Sequence, residues 1–109
     1  MSGSKTQLST QDFSDRALSK PGVWLIDFTA TWCPPCRQLA PVLAALSETY
    51  AGRVGFAEVD VDEQAELAAR FQVQSAPTMV LFRDGAVVDR RIGASSRQVI
   101  GAWIDKALA

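Results

Sequence analysis

The chain has no histidine and only two cysteines, and these scarcities limit the chemistry that its 109 residues can support. A structural zinc site needs about four ligands, chiefly cysteine and histidine. One copy of this chain cannot assemble such a site, so we predict no metal. The formal net charge is −1, which gives no electrostatic basis for binding nucleic acid or an acidic membrane surface.

Long apolar runs are also missing. No stretch approaches the roughly 20 apolar residues that a membrane-spanning helix requires. Residues 1–5 are polar and lack the apolar centre of a signal peptide. We therefore expect a soluble cytoplasmic protein. The length fits a single domain over residues 1–109, and we expect residues 1–4 to be a flexible N-terminus.

Both cysteines lie in one stretch, Trp32-Cys33-Pro34-Pro35-Cys36, between an apolar strand pattern and a helical pattern. The thiolate is the reactive form of cysteine, and the start of a helix lowers the pKa of a thiol. We expect Cys33 to be exposed at the start of the helix and Cys36 to be partly covered about one turn further on. The motif predicts thiol–disulfide exchange, in which Cys33 attacks a partner disulfide and Cys36 resolves the mixed disulfide.

Two structural interpretations of the cysteines compete with this one. A disulfide across four residues would constrain little of the chain, because such stabilisation grows with loop length. Two cysteines acting as small core residues would not need the tryptophan and prolines around them. Pro34 fits the first helical turn. Pro34 and Pro35 together remove two backbone donors, so we predict a stiffer loop and less stabilisation of the Cys33 thiolate than a Gly-Pro insert would give.

Acidic residues occur at two further positions that chemistry could use. Asp27 interrupts the apolar run 23–30. Burial raises the pKa of a carboxyl, and Asp27 is either a partly wet residue at a strand end or a proton acceptor beneath the cysteines. Residues 60–63 are Asp-Val-Asp-Glu. They lack the glycine and terminal glutamate of a calcium loop, and acidic residues that open a helix are the favoured interpretation.

The remaining patterns predict an α/β fold with the element order β-α-β-α-β-α-β-β-α. A capping-box pattern starts the first helix near Ser9, Pro41 should kink the helix after the cysteines, and Asp84-Gly85 marks a hairpin. Crossover connections favour parallel pairing and the hairpin adds an antiparallel edge. We predict a mixed central sheet of about five strands flanked by about four helices. The predicted strands are 5–8, 23–30, 53–59, 79–83 and 86–91.

Several short motifs occur in a fixed order along the chain, and together they are far more specific than any one of them. They are Asp27-Phe28, the Trp-Cys-Pro-Pro-Cys stretch, Pro41, Ala76-Pro77-Thr78, Asp84-Gly85 and Ile92-Gly93-Ala94. In these motifs the chain resembles the thioredoxin family over essentially its full length. The resemblance implies the thioredoxin fold and the activity of a general protein disulfide reductase.

The resemblance also implies roles for individual residues. Cys33 resembles the attacking thiol, Cys36 the resolving thiol, and Asp27 the buried acid that helps to move the proton of Cys36. Pro77 matches the family's cis-proline, which faces the disulfide. Partners would dock as extended segments in a shallow apolar groove. The implied groove residues are Trp32, Pro34, Ala76, Pro77, Ile92 and Gly93.

Four departures from the family pattern bear on redox poise and partner choice. Pro34-Pro35 replaces the usual Gly-Pro, and Thr29 stands where many members have a bulky residue. Ser75-Ala76 replaces a common Gly-Ile pair and makes that wall of the groove smaller. Glu58 stands where many bacterial members have lysine. If Glu58 lies near Asp27, the two carboxylates would repel each other and raise the pKa of the pair. We therefore expect Pro35 and Glu58 to tune the site.

For cofactors and partners, the resemblance implies no bound cofactor and electrons from NADPH through a thioredoxin reductase. It implies protein disulfides as substrates and a monomeric state. An oxidase or isomerase of the same fold is an alternative, although such enzymes usually carry a histidine between the cysteines. A non-catalytic binding module that uses the same groove is another alternative, and a dimer bridged by a metal cluster is a minor one.

Overall fold

The computed structural model describes residues 5–7 and 21–109. In this part of the chain, five strands form one sheet in the order β1-β3-β2-β4-β5. The strands are β1 (Lys5–Gln7), β2 (Val23–Thr29), β3 (Val54–Asp60), β4 (Thr78–Arg83) and β5 (Ala86–Ile92), and the helices are α1 (Pro34–Thr49), α2 (Ala65–Arg70) and α3 (Arg97–Leu108). The predicted N-terminal tail and the helix predicted near Ser9 lie outside the described residues.

The sheet is mixed, as predicted. Strand β3 pairs in parallel with β1 and β2, whereas β4 pairs antiparallel with β2 and β5. The hairpin between β4 and β5 turns at Asp84 and Gly85, which have φ angles of 52° and 86°. Glycine adopts such angles without steric cost, and aspartate is one of the few other residues that tolerates them.

Apolar side chains cover both faces of the sheet. One layer packs β2 to β4 against α1 and α3 and includes Leu25, Leu43 and Ile104. The other layer packs Ile26 and Phe28 against α2 and the segment after it. Side chains alternate between the faces of a strand, so Asp27 points to the same face as Leu25. The fold therefore places Asp27 in the layer covered by α1, which begins at the cysteines.

The sequence predicts the start of one helix correctly and misplaces the start of another. Helix α1 begins at Pro34, and the two prolines occupy its first two positions, where a missing N–H has little cost. The helix continues through Pro41 to Thr49. The acidic residues 60–63 do not open α2, because the chain turns there and the helix begins at Ala65. Asp60 stabilises this turn by accepting from the N–H groups of Asp62 and Glu63 at 2.9 and 3.0 Å.

Candidate functional site

A disulfide between Cys33 and Cys36 lies at the start of α1, with the two Cα atoms 5.3 Å apart. Cys33 is the N-cap residue of the helix, and its sulfur accepts a hydrogen bond from the backbone N–H of Cys36 at 3.2 Å. A side chain at this position satisfies one of the unpaired donors of a helix N-terminus. The same donor faces the sulfur that would carry negative charge as a thiolate, so it favours the reactive form of Cys33.

The two prolines are not equivalent in this arrangement. An N-cap side chain accepts from the N–H of the second or third helical residue. The third residue is Cys36, which makes this bond, and the second is Pro35, which has no N–H to donate. Pro34, at the first position, removes a donor that does not normally reach the N-cap side chain. The expected loss of thiolate stabilisation therefore belongs to Pro35.

Both cysteines are buried, which corrects the expectation of an exposed Cys33 and a partly covered Cys36. Cys33 is 2 % exposed and Cys36 is 4 % exposed. The cause is a segment more than 40 residues further along the chain. The sulfur of Cys33 lies 3.3 Å from the carbonyl oxygen of Ala76, and Ala30, Val61 and Ala76 pack against the disulfide.

The Pro77 loop brings the predicted groove residues together. The Ala76–Pro77 peptide bond is cis, and the carbonyl of Pro77 accepts from the N–H of Gly93 at 2.8 Å. Ile92, next to Gly93, pairs with Thr78 across the sheet. Trp32 and Ile92 are exposed by 63 % and 69 %, which is high for large apolar side chains. Pro34 is also exposed, in the first turn of α1. Apolar surface of this kind beside a disulfide suits partner docking.

Asp27 and Glu58 are neighbours across the parallel pair of strands β2 and β3. Asp27 is 1 % exposed, so the alternative of a partly wet residue at a strand end is wrong. Glu58 is half-buried and lines a cavity of about 330 Å³ together with Cys36, Arg37 and Asp60. Cys36 therefore shares a cavity with two carboxylates, those of Glu58 and Asp60.

Sequence reasoning missed one residue that contacts the site. The indole N–H of Trp32 donates to the carboxylate of Asp62 at 2.7 Å. The sequence pattern suggests only a helix start or a calcium loop for the acidic stretch 60–63, because nothing in a linear pattern links residue 62 to residue 32. Among the described residues, no group of three or more cysteine, aspartate or glutamate side chains is arranged to hold a metal ion.

Comparisons with known proteins agree with this geometry. The sequence model of the family described as Thioredoxin matches residues 4–106. The chain is similar to the thioredoxins of Staphylococcus aureus strains Mu50, MW2 and COL. In each case 39 % of 102 aligned residues are identical, and the alignment covers 94 % of this chain and 96 % of the relative. In the part of the chain that the structure describes, no helix has the length and apolar character needed to cross a membrane.

Proposed function

The chain belongs to the thioredoxin family and is a thiol–disulfide oxidoreductase that reduces protein disulfides, and from that premise we propose how its residues divide the reaction. The thiolate of Cys33 attacks one sulfur of a partner disulfide. The partner's S–S bond breaks, a new bond joins Cys33 to the partner, and the departing sulfur takes up a proton. Cys36 then attacks Cys33 and releases the partner's second thiol, so that two electrons pass to the partner and the Cys33–Cys36 disulfide forms.

Asp27 is the group that takes the proton from Cys36 before this second step. Its burial in the layer beneath the start of α1 supports this role, because a buried carboxyl holds a proton more readily than one in water. Glu58, its neighbour across the sheet, tunes Asp27 through the repulsion of like charges. Pro35 tunes Cys33 by withholding a backbone donor from its sulfur.

The partner docks as an extended segment across Trp32, Pro34, Ala76, Pro77, Ile92 and Gly93. Electrons return to the disulfide from NADPH through a thioredoxin reductase, and the chain itself binds no cofactor. We further infer that it works in the cytoplasm as a single-domain monomer over residues 1–109. The observation that carries these proposals is the disulfide at the N-terminus of α1, with the sulfur of Cys33 against the Pro77 loop.

Trapping of the mixed disulfide tests the division of labour. In Cys36→Ser, Cys33 can attack but no second thiol can resolve, so a covalent adduct with a disulfide-containing protein such as insulin accumulates. In Cys33→Ser, little or no adduct forms. Mass spectrometry of the two variants measures the adduct and its site.

Reversal of this pattern, with the adduct on Cys36 in Cys33→Ser, would show that the two roles are exchanged. Equal partner binding by the wild type and Cys33→Ser, with no disulfide reduction by either, would instead support a binding module. The source of electrons is tested separately. In the presence of a thioredoxin reductase, NADPH oxidation should require both the wild-type chain and a protein disulfide.

A further inference from the structure

One row of residues across the sheet carries charged side chains on the face that α1 and α3 cover. Glu58, Asp27, Met79 and Arg91 are paired in this order across β3, β2, β4 and β5. Residues that lie directly opposite each other on neighbouring strands point to the same face, and Met79 belongs to the apolar layer of that face. Asp27 and Arg91 therefore flank one buried methionine. Because neighbouring strands lie about 4.8 Å apart, the backbones of these two residues are separated by about 10 Å.

An aromatic ring holds Arg91 in this layer. The central carbon of its guanidinium group lies 5.8 Å from the centre of the Trp103 ring, a distance at which the ring face attracts a cation. The indole N–H of Trp103 donates in turn to the carboxylate of Asp89 at 2.8 Å. The other carboxylate oxygen of Asp89 accepts from the backbone N–H of Arg90. The ring against which Arg91 packs is therefore itself fixed by a hydrogen bond.

The charge of Arg91 lies partly out of reach of water. Its Nε atom is buried and has no hydrogen-bond partner within the described part of the chain. Asp89, two residues earlier on the same face, reduces the net charge of this region, but both of its oxygens are already hydrogen-bonded. A buried charge is costly unless an opposite charge compensates it. On the other side of Met79, the carboxylate of Asp27 is 1 % exposed and supplies that opposite charge.

Several other charged groups surround Asp27 on the elements packed near it. Glu58 on β3 and Asp60, two residues further along that strand, are carboxylates. Helix α1 contributes the sulfur of Cys36 and the guanidinium of Arg37, which line one cavity with these two carboxylates. Burial and nearby like charges favour the protonated form of a carboxyl, and a protonated Asp27 could not accept the proton of Cys36. A cation on the opposite side counteracts this effect.

We propose that Arg91 is a positioning residue of the reaction, whose charge, held in the buried layer by Trp103, keeps Asp27 ionised and able to accept the proton of Cys36. Arg91 contacts neither sulfur and acts through Asp27. The inference rests on the proposed role of Asp27 and adds the residue that supports this role. At an effective dielectric constant of about 20, an opposite charge about 10 Å away lowers the pKa of a carboxyl by about one unit.

The test is the pH dependence of mixed-disulfide resolution, measured by single-turnover kinetics. Arg91→Met removes the charge and keeps an apolar stem, so the pH at which resolution reaches half its plateau rate should rise by about one unit. Below this midpoint, resolution should be about tenfold slower than in the wild type, and the plateau rates should be equal. Arg91→Gln should give the same shift with a polar side chain. Arg91→Lys keeps a cation near the ring and should retain the wild-type midpoint.

Arg90→Met is the matched control. Arg90 is the neighbouring residue on β5 and points to the opposite face of the sheet, where it donates to the carbonyls of Phe71 and Gln72. Its replacement removes the same charge and should leave the midpoint unchanged. Equal shifts in Arg90→Met and Arg91→Met would reveal a general effect of net charge and overturn the proposal. So would an unchanged midpoint in both Arg91→Met and Arg91→Gln.

Carbon-13 NMR of the Asp27 carboxyl in the reduced protein separates this inference from the proposed function. The titration midpoint of that carboxyl should rise by about one unit in Arg91→Met and stay constant in Arg90→Met. A constant midpoint in Arg91→Met would refute the charge effect, whatever the kinetics show. Resolution at the wild-type rate in Asp27→Asn would instead refute Asp27 as the acceptor. In the Asp27→Asn background, Arg91→Met should not alter the pH profile, and a shift there would mean that Arg91 acts on another group.

Discussion

At the residue scale, the chemistry of the site depends on what surrounds two sulfur atoms. The sulfur of Cys33 receives one backbone donor, from Cys36, and lies against one backbone acceptor, the carbonyl of Ala76. The donor favours a thiolate, whereas the lone pairs of the carbonyl oppose it. With a proline at the second position of α1, no second helical N–H adds to the donor side. Cys33 therefore has a weaker set of stabilising contacts than a helix N-terminus can offer.

Replacement of Pro35 measures this effect directly. Pro35→Ala restores the N–H at the second helical position, and a further hydrogen bond to the thiolate should stabilise the reduced form by about 1 kcal/mol. Since about 30 mV corresponds to 1.4 kcal/mol for a two-electron couple, we expect the reduction potential to become less negative by about 20 mV. Pro34→Ala is the matched control, because it relaxes the loop in a similar way without adding a donor that reaches the sulfur. The potentials are measured by equilibration with defined thiol buffers, and equal shifts in the two variants would contradict the argument.

Substitution of Asp27 should have two separable effects, one on the free energy of unfolding and one on the rate at which a Cys33 mixed disulfide is resolved. Burial of an ionised carboxylate is costly, so Asp27→Asn should raise the free energy of unfolding at neutral pH by about 1–3 kcal/mol. The same substitution removes the proposed proton acceptor, so resolution of a Cys33 mixed disulfide should slow at least about tenfold.

Denaturant unfolding and single-turnover kinetics measure the two effects. Asp84→Asn is the control, because Asp84 lies in the exposed hairpin turn, where asparagine tolerates the positive φ angle. If resolution proceeds at the wild-type rate in Asp27→Asn, Asp27 is not the acceptor.

At the scale of elements, side chains join helices and strands that the backbone alone leaves separate. The guanidinium of Arg90 on β5 donates to the carbonyls of Phe71 and Gln72, which follow α2. The hydroxyl of Tyr50, at the end of α1, donates to Asp105 on α3 at 2.5 Å and lies 3.1 Å from the carbonyl of Gly101. Contacts of this kind hold α1 and α3 in one layer, and that layer contains the start of α1 and the disulfide.

The contact between α1 and α3 predicts a dependence of stability on alkaline pH. Burial raises the pKa of Tyr50 above its ordinary value of 10.0, and the hydrogen bond and negative charge of Asp105 raise it further. A group whose pKa is higher in the folded state than in the unfolded state stabilises the fold fully at pH values below the unfolded-state pKa. This stabilisation is lost as the pH rises through the folded-state pKa. The contribution of Tyr50 to the free energy of unfolding should therefore be constant around neutral pH and fall above pH 10.

Tyr50→Phe isolates this contribution. It should lower the free energy of unfolding at neutral pH by about 1–2 kcal/mol, because Asp105 loses its hydrogen bond. The difference between wild type and variant should narrow as the pH rises above 10, and chemical unfolding at a series of pH values measures it. A difference that stays constant across this range would mean that Tyr50 is not coupled to Asp105 as the structure indicates.

At the scale of the whole molecule, local patterns predicted the elements, and long-range pairing built the site. The crossover connections and the hairpin signal predicted the mixed sheet, and the cysteine spacing predicted a redox-active pair at the start of α1. Burial of Cys33 by Ala76 and the bond between Trp32 and Asp62 join residues 43 and 30 positions apart. Such contacts leave no periodic signal in the sequence, so the prediction of an exposed Cys33 is wrong and the contact between Trp32 and Asp62 has no counterpart in a sequence pattern. Family resemblance, rather than spacing, indicated the cis form of Pro77.

The reduction potential of the Cys33–Cys36 pair in the wild-type chain tests the central claim most directly. One donor to the sulfur of Cys33, a proline at the second helical position and no histidine in the chain leave the reduced form weakly stabilised. A pair of this kind should be reducing, and the established reference values are about −270 mV for thioredoxin and about −120 mV for a strong periplasmic oxidase. We predict a value between about −300 and −240 mV, measured against thiol buffers with tryptophan emission as the readout. A value near the oxidising reference would contradict the assignment as a disulfide reductase and favour an oxidase or isomerase of the same fold.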